Sequence, residues 1–126
     1  MKHLLFFALL NSFFSITAQE NCKKFKNGTF KMSDPAINFA CTITRNDSIQ
    51  VEKIDGINQQ STYRVKWTSP CEYELQMIEG NPEGVAFYKD KALKVSIIST
   101  EEDNYTYEAR IDGIEFVSTQ TIYKVE

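Results

Sequence analysis

Histidine is nearly missing from this sequence. The single copy, His3, lies in the first residues of the 126, and the remainder has no imidazole. That removes the usual base for a serine or cysteine nucleophile and the commonest metal ligand. No glycine-rich phosphate loop and no Gly-x-Ser-x-Gly elbow occurs, so neither nucleotide chemistry nor a hydrolase elbow has a foothold. Positive charge is scarce and scattered: 14 Lys and Arg face 17 Asp and Glu, a formal net charge of −3. With no basic tract, nucleic acid is not an expected partner. The one acidic turn, Glu101-Glu102-Asp103-Asn104, lacks the spaced ligands and glycine of a calcium loop. Carboxylate pairs such as Glu72 and Glu74 fall on a polar face opposite basic residues. No catalytic residue, metal or cofactor is expected, and the chain does not read as an enzyme.

Long apolar runs are also lacking. Leu4 to Phe14 is apolar apart from Asn11-Ser12, but this is shorter than the roughly 20 residues of a membrane-spanning helix. It follows the basic start Met1-Lys2-His3 and ends in Ser15-Ile16-Thr17-Ala18, the pattern of a secretory signal peptide cleaved near Ala18. Residues 1–18 are therefore read as a leader and 19–126 as one domain, exported to the periplasm or secreted, with no membrane span. Export gives the cysteines an oxidising setting. Three follow the leader: Cys22, Cys41 and Cys71. The expected bridge is Cys22–Cys71, because Cys41 alternates with Phe39 and Ile43 as a small buried residue would. The alternative brings Cys41 into a bridge and leaves Cys22 free or paired between chains.

Beyond these, period-two alternation dominates. Tyr63, Val65 and Trp67 alternate with Arg64 and Lys66; Tyr73, Leu75 and Met77 alternate with Glu72, Glu74 and Gln76. This is an antiparallel hairpin with one dry face. A three-residue turn at Thr68-Ser69-Pro70 would set Val65 against Tyr73 and pair Lys66 with Glu72 and Arg64 with Glu74; a five-residue loop also matches the faces. Before it, Phe30 and Met32 face inward on a first strand. Phe39–Thr44 and Ser48–Ile54 form a hairpin setting Ile43 against Ile49 and Cys41 against Val51. After it come Leu93-Val95-Ile97 and Tyr105-Tyr107-Ala109-Ile111. Asp112-Gly113 reads as a two-residue turn pairing Ile111 with Ile114. The last strand is expected to shift parity near Ser118-Thr119, bringing Tyr123 and Val125 inward.

No convincing helix follows the leader. About eight short strands, each joined to its neighbour, predict an all-β, antiparallel up-and-down meander in a closed or nearly closed barrel, with a β-sandwich as the alternative. Closure removes exposed strand edges.

Five aromatics take the inward parity: Tyr63, Trp67, Tyr73, Tyr105 and Tyr107. In a wide barrel they line a cavity for a small apolar ligand; in a narrow one they fill the core. The 79–91 connection, with Val85, Phe87 and Tyr88, is long enough to gate a barrel mouth or to plug it. Two functions follow: binding of a small apolar ligand, or a structural or protein-interaction domain with a filled core acting through the 79–91 loop.

The order Cys22-x-x-Phe25-Lys26-x-Gly28-x-Phe30-Lys31, then Ile43-x-Arg45, Gln50-x-Glu52, Val65-Lys66-Trp67-x-x-x-Cys71-x-Tyr73-x-Leu75 and Tyr105-x-Tyr107, resembles small exported bacterial β-proteins of unassigned function. In architecture the chain is similar to lipocalins, with Gly28-Thr29-Phe30 where lipocalins carry Gly-x-Trp. The resemblance implies a lipocalin-like barrel and assigns no activity or site.

Overall fold

The computed structural model describes residues 21–126; the expected leader and its expected cleavage near Ala18 lie outside the described residues. Eight antiparallel strands run in sequence order and close into a barrel, which settles the choice between barrel and sandwich. They are β1 (Gly28–Asp34), β2 (Phe39–Arg45), β3 (Ile49–Ile54), β4 (Gln59–Ser69), β5 (Glu72–Glu79), β6 (Leu93–Thr100), β7 (Asn104–Ile111) and β8 (Val117–Lys124). Closure rests on β1 pairing with β8, Phe30 against Lys124 and Lys31 against Tyr123. The C-terminus extends the seam, Thr29 N donating to Glu126 O at 3.0 Å and Val125 N to Thr29 O at 2.8 Å. Gly28 is required there: its φ is +134°, and a Cβ would come within 2.5 Å of the Glu126 carbonyl oxygen.

The meander gives the barrel two unlike ends. Turns 46–48, 70–71 and 101–103 share one end with the N-terminal segment, which folds over it and buries Phe25 completely. Cys22 and Cys71 are bridged there, with Cα atoms 5.4 Å apart, and Cys41 is a free buried thiol. The expected pairing is the observed one. Connections 35–38, 55–58, 80–92 and 112–116 ring the opposite end.

The core forms two adjoining clusters. Phe25, Phe30, Cys41, Ile43, Tyr105 and Ile122 make one; Val65, Tyr73, Leu75, Val95 and Ala109 make the other. Inward parity follows the sequence pattern in β1, β4, β5, β6 and β7.

Five expectations are corrected. In β4–β5 the register is Val65 against Leu75, Lys66 against Glu74 and Trp67 against Tyr73, not Val65 against Tyr73. A bulge between Trp67 and Ser69 takes up the odd residue, and Arg64 pairs with Gln76 rather than Glu74. In β2–β3, Arg45 pairs with Gln50 and Ile43 with Glu52, so β3 presents Gln50 and Glu52 inward in place of Ile49 and Val51. The Asn46 side chain fixes that turn, Oδ1 accepting from Ser48 N at 3.1 Å and Ile49 N at 2.9 Å. In β7–β8, Arg110 pairs with Val117, so residues 112–116 form a longer loop than the two-residue turn. The register then runs to the end of β8 without a shift; Ile122 is buried while Tyr123 and Val125 are 50% and 52% exposed. Finally, the 79–91 connection contains a short helix, α1 (Pro82–Phe87), capped by Asn81 Oδ1 accepting from Gly84 N at 2.6 Å.

Candidate functional site

Two adjacent inward positions that hydrophobic patterning would fill with apolar groups carry polar ones. Arg45, at the end of β2, is 3% exposed, and Gln50, opposite it on β3, is 2% exposed. A buried guanidinium needs partners for its fork of donors, and Arg45 has them. Nε donates to Gln50 Oε1 at 2.7 Å and Nη1 to the Phe25 carbonyl at 2.8 Å. Nη2 donates to the hydroxyls of Tyr105 at 2.9 Å and Tyr73 at 3.2 Å. Those hydroxyls lie 2.8 Å apart and share a hydrogen bond. The guanidinium carbon sits 4.7 Å from the Phe30 ring centroid and 4.8 Å from that of Tyr73, so aromatic faces cover the cation. Arg45 thereby joins the two core clusters, and through Phe25 it ties the N-terminal segment to the barrel.

The network continues inward. Gln50 Nε2 donates to Glu52 Oε2 at 2.8 Å. The amide therefore stands between cation and carboxylate, accepting from one and donating to the other. Burial raises the Glu52 carboxyl above its usual range; the Gln50 hydrogen bond and the Arg45 charge oppose this without cancelling it. For Arg45, burial works against the charge, but the phenol oxygens of Tyr73 and Tyr105 and the Glu52 carboxylate outweigh it and hold the group protonated.

Above this network the barrel is hollow. A partly open cavity of about 180 Å³ is lined by the apolar side chains of Met32, Ile43, Leu75, Leu93, Val95 and Ile122. Its polar lining comes from Arg45, Gln50, Glu52, Tyr63, Tyr73, Tyr88 and Tyr107. Burial raises the pKa of all four tyrosines, and the nearby Glu52 carboxylate adds to the effect at Tyr63, Tyr88 and Tyr107. All four remain neutral hydrogen-bonding phenols. Among the described residues the Tyr107 hydroxyl has one partner, the Met32 sulfur at 3.4 Å.

Of the aromatics expected to line a cavity, Tyr63, Tyr73 and Tyr107 do. Tyr105 does not reach it; its ring is sealed against Phe25 and Phe30, and its hydroxyl serves Arg45. Trp67 does not line it either. The indole packs on Tyr73 at 4.6 Å, beneath the Lys26 ammonium, and its buried Nε1 has no hydrogen-bond partner among the described residues. Of the expected gate residues only Tyr88 reaches the cavity. Gln76 Nε2 donates to its backbone carbonyl, and its ring meets Tyr63 edge to face at 6.1 Å. Phe87 turns outward, 38% exposed, and Val85 is half-buried in a separate surface groove with Ile78 and Lys89.

Arg45, Gln50 and Glu52 were not legible as site residues from alternation alone. One signal was present: continuing the period from Cys41 through Ile43 puts Arg45 on the inner face. Among the described residues no group of three or more His, Cys, Asp or Glu is placed to hold a metal ion, and no helix is long and apolar enough to cross a membrane. Compared with protein-family models, curated proteins and solved structures, the chain has no match.

Proposed function

We propose that the protein binds a small molecule inside the barrel and performs no chemistry on it. The cavity is the observation that carries this reading. A dry cavity near 150 Å³ accepts a benzene-sized guest, so about 180 Å³ suits one ring or a short chain. Six aliphatic or thioether side chains would hold the apolar body, and the polar wall from Glu52 to Tyr107 would orient one polar end. Tyr88 stands at the mouth as the gate. Export agrees with the Cys22–Cys71 bridge, since such bonds persist in oxidising compartments. The test is a methyl-NMR titration with benzene-sized probes. Shifts confined to Met32, Ile43, Leu75, Leu93, Val95 and Ile122 are expected; a silent titration across the panel overturns the reading.

A second reading rests on the open rim. Each of the four connections at that end carries an exposed large apolar side chain: Ile37, Ile57, Phe87, and Ile114 with Phe116. A rim of this kind suits contact with a partner protein. On that reading Phe87→Ser and Ile57→Ser abolish capture of the partner and leave the probe-induced methyl shifts intact. Unchanged capture would exclude it.

A further inference from the structure

We propose that the polar end of the ligand is an ammonium group, seated between the Glu52 carboxylate and the rings of Tyr63, Tyr88 and Tyr107. The inference rests on interior binding and names the ligand's chemistry. Two charged side chains border the cavity, and they are not equivalent. Arg45 directs Nε, Nη1 and Nη2 to four protein acceptors, and the rings of Phe30 and Tyr73 cover its faces. A carboxylate ligand would have to compete for donors that are already committed. Glu52 is less engaged: Oε2 accepts from Gln50, and no Lys or Arg among the described residues forms an ion pair with it. It is a half-buried carboxylate with no direct counter-ion among the described residues, and it borders the cavity.

Part of the wall around that space is aromatic. Tyr63 and Tyr88 meet edge to face, their ring planes at 88°. Tyr107 enters from β7, four strands from β3 in an eight-stranded ring and therefore across the barrel from Glu52. Phenol rings attract a cation through their negative faces, and the attraction strengthens in a desolvated site. A carboxylate and three tyrosines in the polar part of the wall thus favour a positive head over a neutral or negative one. The remaining volume admits one aromatic ring or a short alkyl chain behind it.

The test compares four probes of one size at neutral pH: benzylamine, benzyl alcohol, toluene and benzoate, with affinities from calorimetry or methyl NMR. Benzylamine is expected to bind at least tenfold tighter than benzyl alcohol or toluene, with benzoate weakest. Glu52→Gln is expected to remove that preference while toluene binding persists. Equal affinity for benzylamine and toluene overturns the ammonium assignment and leaves interior binding standing, as does preference for benzoate. Silence with all four overturns both. The wild-type series decides the matter even if Glu52→Gln folds poorly.

Discussion

Arg45 and Glu52 both point toward the barrel axis, where each ion loses several kcal/mol of hydration unless compensated. Arg45 is compensated by four acceptors and two ring faces. Glu52 has one hydrogen bond and an attraction relayed across Gln50, and burial leaves its carboxyl raised. The sign of the pH dependence follows. A carboxyl raised in the folded state favours its proton there, so its contribution is full below the unfolded value and is lost as pH climbs through the folded value. Glu52→Gln keeps an oxygen to accept from Gln50 but cannot ionise. Its stability relative to wild type is therefore expected to rise as pH climbs above the unfolded carboxylate range near about 4. Urea denaturation of both proteins at three pH values measures this. A difference that shrinks with rising pH would mean that Arg45 stabilises the charged carboxylate more than burial disfavours it.

At the scale of the element, β6 and β7 were the most legible. Leu93, Val95 and Ile97 meet Ile111, Ala109 and Tyr107 across one dry face, and alternation alone finds them. β3 was not, because its alternation is ambiguous: Ile49 and Val51 offer one face, and Gln50 and Glu52 the other. A one-residue slip exchanges the faces. Hydrophobicity selects the first pair, but the polar pair wins since Arg45, Gln50 and Glu52 satisfy one another only when all face inward. On the outside Val51 then stands between Thr44 and Thr62, a β-branched row suited to a half-buried sheet surface. α1 was missed because six residues are too few to show a helical period, although Asn81-Pro82 is a helix-start signal. The N-terminal segment was legible through its cysteine. The bridge spans 49 residues in sequence, a closure worth about 4 kcal/mol on chain entropy alone. It also holds the Phe25 carbonyl where Arg45 uses it. Replacing Cys22 and Cys71 together by alanine is expected to cost about 2–4 kcal/mol in urea denaturation. A loss below about 1 kcal/mol would show that burial of Phe25 secures the segment unaided. Cys41 does not complicate that variant, since burial, with Glu52 and Asp55 adding to it, pushes its thiol up to about 11 and out of exchange near neutrality.

For the whole molecule, a barrel on a short chain can devote its interior to packing or to a guest, and this one divides it. The end under the N-terminal segment is filled by Phe25, Phe30 and Tyr105, all fully buried. The space beyond Arg45 is left hollow, and a cavity lined by protein forfeits contacts that a filled core would keep. If that hollow is kept for a ligand, filling it should exchange function for stability. Leu93 lines the cavity from β6, paired with Leu75 on one side and Ile111 on the other. Leu93→Phe extends a flat ring into the hollow, which can absorb the modest added volume without displacing the strands. The variant is expected to gain up to about 1 kcal/mol in urea denaturation and to bind benzene-sized probes at least tenfold more weakly. A well-packed interior would answer the other way, losing about 1–3 kcal/mol to overpacking. Destabilisation with probe binding unchanged would show that Leu93 does not border the space the ligand uses.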